Sequence, residues 1–440
     1  MDFPEELERL LAALEKAGFE AWAVGGGVRD TLRGVTPQDW DVTTSARPEE
    51  VLALFGGWAI PTGLAHGTVT VKQDGRPFEV TTYRTDGAYR DHRHPEAVTF
   101  TASLTEDLAR RDFTVNAIAV DRRGHLADPW GGREDLRAGI LRVVGDPSRR
   151  FAEDALRIMR GLRFSSQLGF TAEPATAAAL HRCAHGLRDI AAERIAAEMT
   201  GLLCGENVLE VLLAYPDVLG VFLPEVLPCV GFAQHSKFHI YDVWSHIAHA
   251  VALVPPEPVL RWAMLLHDLG KPRRYTQEEN GTSHFFGHAD LSAAMAEEIC
   301  RRLRLPGAMS REIVTLVAWH DRVIPVTEKA IRRALHDLGE ETFFRLCQVK
   351  RADNLAQNPE YCHVETIRRA EDMARQLLAE GACLSLRDLA VKGEDLLALG
   401  YRGTAIGAAL ESLLDRVLDG TLPNDKAALL AALTTQDDTL

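Results

Sequence analysis

The chain has 440 residues, a length that predicts two to four domains, each able to bury its own core. Its 49 lysines and arginines against 63 aspartates and glutamates give a formal charge of −14, and a hydrophobic content of 46% excludes global disorder. Seven cysteines without a C-x-x-C pair argue against a disulfide framework or a zinc ribbon. The acidic start, and the lack of any apolar stretch near the ~18 residues of a membrane span, predict a cytoplasmic protein that contacts no membrane.

The predicted elements change character along the chain. Apolar periodicity predicts a helix at 5–17, a strand at 21–24 and a helix from Val28 to Leu32. A strand at 39–44 and a helix beginning at Ser45 or Pro48 follow. Alternating segments at 68–72 and 78–83, separated by Asp74-Gly75, predict a hairpin. From residue 151 onward the pattern is almost wholly helical. The sequence therefore predicts an α+β fold, with an α/β head followed by a helical body.

Basic residues are concentrated in the first 165 positions despite the net negative charge. Six arginines stand against three acidic residues between Arg142 and Arg163, and further basic clusters lie at 84–94 and at 110–111. Since nucleic-acid binding depends on where charge lies, these clusters are compatible with such a partner. They are equally compatible with ordinary solvated surfaces.

A glycine run, Gly25-Gly26-Gly27, separates the first strand from the following helix. Such a run leaves backbone N–H groups free to face an anion at a helix N-terminus. Taken alone, most runs of this kind are turns. Arg29 and Asp30, directly after it, favour a phosphate-binding loop.

A pair of carboxylates, Asp39 and Asp41, lies ten residues further on. On a strand, residues i and i+2 point to one side, about 7 Å apart. Two such carboxylates can hold Mg²⁺, and Glu79 could be a third ligand if its strand is adjacent. The alternatives are a turn or cap for the aspartates and an exposed strand position for Glu79.

These residues resemble a known family. The segments 25–30 and 37–44 resemble the first motif of class II tRNA nucleotidyltransferases, which comprise the CCA-adding enzymes and bacterial poly(A) polymerases. Segments 110–117, 128–136, 142–157 and 193–198 resemble the later motifs in the same order, and 393–424 resembles the tail. The resemblance implies a polymerase-β-like head with a mixed sheet, tRNA, CTP and ATP as partners, and Mg²⁺ as cofactor. It identifies no protein partner.

The resemblance also implies roles for individual residues. It makes Asp39 and Asp41 catalytic and metal-binding. The nucleotide-binding residues that it implies are Gly25, Gly26, Arg29, Arg111, Asp112, Asn116, Asp154, Arg157, Arg160 and Arg163. Residues 86–95 resemble the family's flexible loop, which enzymes adding only two cytidines lack, so complete CCA addition or A addition is favoured.

Asp154 and Arg157 have a chemical interpretation of their own. At i, i+3 on a helix they would share a face. A carboxylate accepts from an exocyclic amino group and a guanidinium donates to a ring acceptor, an edge that cytosine and adenine both present. Uracil and guanine would leave buried polar groups unpaired. The alternative is an ordinary helical salt bridge between Glu153 and Arg157.

A second constellation lies in the helical region. Residues 265–272, His246 before them and Asp353 after them resemble the HD superfamily of metal-dependent phosphohydrolases. The resemblance implies a divalent metal held by His246, His267, Asp268 and Asp353, and that donor set suits a transition metal with open positions. His284, His288 and His320 could extend the site, hydrogen-bond to it or be structural. The alternative is a degenerate domain that binds no metal.

The expected organisation has four parts: a head at 1–140, a helical neck and body at 141–235, an HD domain at 236–358 and a helical tail at 359–440. The expected function is template-independent addition of CCA to tRNA, with phosphohydrolase activity as a possible addition. Two alternatives stay open. One is a poly(A) polymerase, and the other is an HD phosphohydrolase whose head only binds RNA.

Overall fold

The chain forms two compact units, residues 1–227 and 228–440, in a computed structural model that describes residues 3–86 and 98–434. The segment that resembles the flexible loop, 86–95, lies outside the described residues beyond position 86. In the part of the chain that is described, no helix is both long enough and apolar enough to cross a membrane.

The N-terminal unit is built on a mixed sheet. Its strands are β1 (Ala21–Val24), β2 (Asp41–Thr44), β3 (Ala59–Gly63), β4 (Thr68–Gln73), β5 (Arg76–Thr82), β6 (Arg84–Asp86), β7 (Val98–Phe100), β8 (Ala119–Val120), β9 (Leu126–Ala127), β10 (Ile140–Leu141) and β11 (Thr171–Ala172). Seven strands pair in the order β3-β4-β5-β2-β1-β8-β9. Within this sheet β2 and β5 run parallel, while β1 is antiparallel to both β2 and β8.

The helices of this unit pack partly on the sheet and partly on one another. They are α1 (Glu5–Lys16), α2 (Gly26–Leu32), α3 (Pro48–Phe55), α4 (Leu104–Ala109), α5 (Gly132–Ala138), α6 (Pro147–Glu153), α7 (Leu156–Leu168), α8 (Pro174–Arg182), α9 (Ala192–Leu203), α10 (Val208–Ala214) and α11 (Pro216–Leu219). The predicted first helix is confirmed. Its apolar stripe, at i, i+3, i+4 and i+7 from Leu7 to Leu14, is fully buried in the core of the sheet.

The predicted hairpin is also confirmed. Asp74 and Gly75, which connect β4 to β5, both have positive φ, at 50° and 84°. A two-residue turn of this kind matches the right-handed twist of the strands it joins. The hairpin matters for the site because β5 carries Glu79 and pairs on its other side with β2.

Two predicted elements are wrong at their boundaries. The strand predicted at 39–44 begins only at Asp41, because its partner β1 ends at Val24 and the chain there turns into α2. The helix predicted to carry Asp154 and Arg157 together is interrupted: α6 ends at Glu153 and α7 begins at Leu156. Asp154 lies in the break with an extended backbone, at φ −137° and ψ 102°.

The C-terminal unit is helical apart from one short hairpin, β12 (Thr276–Gln277) and β13 (Ser283–His284). Its helices are α12 (Val243–Leu253), α13 (Pro258–Leu266), α14 (His288–Arg302), α15 (Gly307–Trp319), α16 (Glu328–Leu338), α17 (Glu340–Leu355), α18 (Val364–Ala379), α19 (Gly393–Ala398), α20 (Thr404–Leu418) and α21 (Lys426–Thr434). A separate apolar cluster, from Cys383 to Leu433, forms the core of the last segment.

Candidate active site and metal centre

A glycine turn brings the backbone against the acidic strand. Gly25 follows β1 and has φ 77° and ψ −139°, a conformation that residues with a side chain rarely adopt. A Cβ at this position would lie 3.2 Å from Oδ2 of Asp41 and 3.4 Å from Nη1 of Arg111. Two local features therefore favour glycine at this position: the positive φ and the close approach of charged side chains. Because it has no side chain, Gly25 leaves space beside both the Asp41 carboxylate and the Arg111 guanidinium.

Three carboxylates interact with one another where β2 begins. Asp41 is the first residue of β2 and lies in parallel register with Glu79 of β5, and both are exposed. Asp39 lies two residues before the strand and is exposed as well. Shielding by surrounding protein raises the pKa of Asp41, Arg111 opposes that rise, and the carboxylates of Glu79 and Asp39 add to it. This concentration of negative charge around oxygen ligands fits a hard divalent cation.

Arg111 is the cation that acts most strongly on the Asp41 carboxylate, and a buried aspartate fixes its position. Its Nη2 lies 3.6 Å from Oδ2 of the buried Asp107, which also receives hydrogen bonds from Arg110 and from the hydroxyl of Thr43. Burial lowers the pKa of Arg111, although Asp107 and Asp41 act to raise it. Asp107 was not among the predicted residues. Its spacing of i, i+3 and i, i+4 to the two arginines is the signal that could have identified it.

A buried polar network joins α2, the helix that follows the glycine turn, to α7. The guanidinium of Arg29 donates to Oδ1 of Asn116 at 2.8 Å, and Asn116 donates to Oδ1 of Asp112 at 3.1 Å. Arg160 donates to Oδ2 of Asp112 through Nε and Nη2, at 2.8 and 2.6 Å. Although burial works against it, these bonds hold the pKa of Asp112 at about 2. Four of the predicted nucleotide-binding residues are thus one network.

Three arginines of the N-terminal unit surround one aromatic ring. The guanidinium carbons of Arg29, Arg160 and Arg163 lie 5.3, 5.3 and 4.4 Å from the centre of the Phe164 ring. The ring is buried, and cation–π attraction at this range stabilises positive charge over its faces. Phe164 therefore lies against three guanidinium groups next to the Asp112 network. It was not predicted, and its i, i+4 spacing from Arg160 is its only sequence signal.

Asp154 and Arg157 do not form the pair of side chains expected on one helical face. Nη1 of Arg157 donates to Oε2 of Glu153 at 2.9 Å and to the carbonyl of Arg150 at 3.1 Å. The helical salt bridge considered as the alternative is therefore present. Asp154 lies 3.9 Å from Arg194, and burial raises its pKa.

The C-terminal unit brings His246, His267, Asp268 and Asp353 together. Nε2 of His246 lies 3.0 Å from Asp353 and 3.3 Å from Asp268, and Nε2 of His267 lies 3.3 Å from Asp268. Although burial lowers it, the pKa of His267 is raised to about 10 by Asp268 and Asp353. The buried carboxylates therefore favour a cation between these side chains, and imidazole with carboxylate suits a divalent transition metal.

The other histidines divide into two groups. His288 and His320 are buried, and their Nε2 atoms lie 3.2 and 3.6 Å from Oδ1 of Asp268. His284 is turned away, because its Nε2 contacts Oε1 of Glu278 at 2.7 Å and its ring stacks on Phe286. The structure thus brings two of the three additional histidines to the cluster.

Three family profiles match the chain. The profile described as "Poly A polymerase head domain" matches residues 21–142, and "Probable RNA and SrmB- binding site of polymerase A" matches 169–227. The profile "tRNA nucleotidyltransferase domain 2 putative" matches residues 273–433. The first two matches lie in the N-terminal unit and the third lies in the C-terminal unit.

Whole-chain relatives agree with these profiles. The CCA-adding enzyme of Levilactobacillus brevis is 35% identical over 98% of both chains, and that of Geobacillus stearothermophilus is 35% identical over 99% of this chain and 98% of its own. The crystal structure of the Bacillus stearothermophilus CCA-adding enzyme in complex with CTP is similar with a TM-score of 0.75, 32% identity and full coverage of both chains. A Thermotoga maritima CCA-adding enzyme complexed with tRNA shares the fold, with a TM-score of 0.63 and 19% identity over 99% of this chain.

Proposed function

The chain belongs to the family of CCA-adding enzymes, and from this premise we propose that it adds CCA to the 3′ end of tRNA from CTP and ATP without a nucleic-acid template. The observation that carries the proposal is the meeting of Asp41, Glu79 and Arg111 at the Gly25 turn. Relatives that match nearly the whole chain are CCA-adding enzymes, and this favours CCA addition over poly(A) synthesis.

The reaction joins the tRNA 3′-hydroxyl to the α-phosphate of the incoming nucleotide and releases pyrophosphate. The carboxylates of Asp39, Asp41 and Glu79 supply the oxygen donors that Mg²⁺ prefers. A divalent cation would also offset the repulsion between these carboxylates. When bound, Mg²⁺ lowers the pKa of an attacking hydroxyl and neutralises phosphate charge. Strand pairing holds Asp41 and Glu79 in register, so catalysis rests on positioning and charge compensation.

The positive groups beside the carboxylates are suited to the triphosphate. Gly25 and Gly26 leave backbone space there, and Arg29 and Arg111 place guanidinium groups on the same side. Arg160 and Arg163 add guanidinium groups along α7, where Asp112 pairs with Arg160 and Glu198 pairs with Arg163. Asn116 in turn fixes the position of Asp112. Guanidinium groups recognise phosphate oxygens through paired N–H donors.

Base selection requires a rearrangement at the break between α6 and α7. Arg157 now donates to Glu153, so reading a base edge requires it to exchange that partner for the nucleotide. Asp154 is already outside the helix, and its Oδ1 accepts a hydrogen bond from the N–H of Leu156 at 3.0 Å. We therefore assign base recognition to Asp154 and Arg157. Glu153 holds Arg157 in place until the nucleotide binds.

The parts of the chain then take separate roles. The head at 1–140 carries nucleotidyl transfer, and the neck and body at 141–235 bind the nucleotide and the tRNA acceptor. The HD segment at 236–358 and the tail at 359–440 follow, and the helical parts contact RNA through its shape and backbone rather than its sequence. We propose that the protein acts in the cytoplasm.

The HD segment fits a divalent metal of its own. Nδ1 of His246 and of His267 each lie against a backbone carbonyl, of Ala356 and Met264, so each ring turns Nε2 toward Asp268 and Asp353. That arrangement fixes the tautomer of a metal-binding histidine. We propose a transition-metal ion at these four residues, where a bound ion would polarise water and phosphate.

The function is tested with tRNA that lacks CCA and with each nucleoside triphosphate separately. We expect two cytidines and one adenosine to be added and no long tail to form from ATP. A long poly(A) product would instead identify a poly(A) polymerase. Nucleotide addition that survives Asp39→Ala would overturn the carboxylate mechanism and favour a head that only binds RNA.

A further inference from the structure

The ring of Phe164 holds three arginines of the N-terminal unit by a contact that uses none of their hydrogen-bond donors. The guanidinium carbons of Arg29, Arg160 and Arg163 lie over this buried ring, at 5.3, 5.3 and 4.4 Å from its centre. Cation–π attraction acts on the flat face of a guanidinium, so its N–H groups can still donate in the plane. An aromatic ring can therefore fix an arginine without neutralising its charge.

Carboxylates hold two of these arginines on the Nε side only. Nε and Nη2 of Arg160 donate to Oδ2 of Asp112, and Nε of Arg163 donates to Oε2 of Glu198 at 2.6 Å. Among the residues that the structure describes, Nη1 of Arg160 and Nη2 of Arg163 have no hydrogen-bond partner. These nitrogens carry N–H groups of the kind from which phosphate oxygens accept. Each arginine is thus fixed on one side and able to bind an anion on the other.

The orientation of the Phe164 ring is fixed by the residue that follows Asp112. The fully buried ring of Phe113 packs edge-to-face against Phe164, with the ring centres 5.8 Å apart and the planes at 88°. The N–H of Phe113 donates to Oδ1 of Asp112 at 2.8 Å, and the other oxygen of that carboxylate binds Arg160. One dipeptide therefore places both the carboxylate and the aromatic ring that hold Arg160.

We propose that Phe164 is a positioning residue of the nucleotide site, which holds Arg160 and Arg163 ready for the phosphates and so makes the chain prefer nucleoside triphosphates to monophosphates. The inference rests on the nucleotide site proposed above. Guanidinium groups gathered at one ring repel one another, and a triphosphate offsets more of that repulsion than a single phosphate does. A leucine would keep the apolar packing but offers no π face, so the arginines would turn toward their carboxylates and away from the phosphates.

Binding of CTP and CMP to the full-length chain, measured by calorimetry with Mg²⁺ present, tests the role of Phe164. The two nucleotides share base and sugar, so the ratio of their dissociation constants reports on the additional phosphates alone. In Phe164→Leu we expect CTP binding to weaken roughly tenfold, the scale of one desolvated cation–π contact, while CMP binding changes little. Phe164→Tyr keeps an aromatic ring and should restore most of the ratio. A ratio unchanged in Phe164→Leu would show that Phe164 only packs, and would overturn the proposal.

Phe170→Leu is the matched control. The Phe170 ring is 8% exposed, against 6% for Phe164, and it lies under one guanidinium, that of Arg33, at 5.5 Å. This variant should keep the ratio for CTP and CMP, and an equal fall in both variants would overturn the specific role of Phe164. Phe164→Met serves if Phe164→Leu does not fold.

Inorganic tripolyphosphate separates this inference from the proposed function. It carries neither base nor sugar, so its binding should weaken in Phe164→Leu whether or not the chain adds CCA to tRNA. Tripolyphosphate binding that is equal in the wild type and in Phe164→Leu would overturn the positioning role. Nucleotide addition to tRNA is measured separately, and its failure alone would count against the proposed function and not against the role of Phe164.

Discussion

Asp41 and Glu79 lie directly opposite each other on the neighbouring parallel strands β2 and β5. They are far apart in the sequence, yet the parallel pairing places the two carboxylates side by side. Shielding by protein and the neighbouring negative charges raise the pKa of Asp41. The repulsion between the two carboxylates is unfavourable, and a bound cation would offset it. We therefore place the metal of the nucleotidyl-transfer site there.

Replacing Asp41 should remove most of the catalytic rate. We expect Asp41→Asn to lower kcat for nucleotide addition by roughly 10²–10³-fold, the scale for loss of one preorganised electrostatic group. Glu79→Gln should act mainly on metal binding, so its rate should recover at higher Mg²⁺ concentration. Steady-state rates over a Mg²⁺ titration measure both effects. A Glu79→Gln curve that superimposes on that of the wild type would exclude Glu79 as a ligand.

Gly25 should tolerate no side chain. In Gly25→Ala the new Cβ would lie 3.2 Å from the Asp41 carboxylate at φ 77°, so both strain and displacement of the ligand are expected. We predict a loss of nucleotide addition of about 100-fold, as for loss of an electrostatic group. Gly57→Ala is the matched control, because a Cβ there meets no described atom within 4 Å. Equal activity of the two variants would contradict the close-approach argument.

Arg157 should control which nucleotides are accepted. Loss of a charge-assisted base contact should relax discrimination against UTP and GTP by ~1–3 kcal/mol in Arg157→Ala. If Arg157 only stabilises the break between α6 and α7 through Glu153, kcat/KM should fall equally for all four nucleotides. The ratio of kcat/KM for CTP to that for UTP separates these cases, and Arg157→Lys should restore part of the ratio.

The sequence predicted those parts of the fold that depend on local patterns. The stripe of α1 and the Asp74-Gly75 turn are specified within a few residues, and both were correct. The start of β2 at Asp41 depends instead on where its partner β1 ends, which periodicity cannot show. Likewise, the break at Asp154 interrupts a segment whose composition is helical throughout. The resemblance of the motifs assigned the carboxylates to one predicted site. The roles of Asp107 and Phe164, in contrast, follow only from tertiary contacts.

The Asp112 network should make the N-terminal unit sensitive to acid. The pKa of Asp112 is about 2 in the folded chain, because Arg160 and Asn116 bind its carboxylate, against ~3.9 when unfolded. A depressed carboxyl pKa stabilises the fold above the unfolded value, and this contribution is lost as the pH falls from about 4 through about 2. A shift of this size corresponds to about 2 kcal/mol.

Asp112→Asn should therefore lower the free energy of unfolding at pH 7 by about 2 kcal/mol and flatten its dependence on pH below 4. Urea denaturation at a series of pH values, followed by tryptophan fluorescence, measures both quantities. Asp217→Asn is the control, because that aspartate is more than half exposed and contacts only His181 among the described side chains. Its stability curve should stay parallel to that of the wild type. If the Asp112→Asn curve also ran parallel, Asp112 would contribute no acid sensitivity, and the buried network would owe its stability to neutral hydrogen bonds rather than to the ion pair with Arg160.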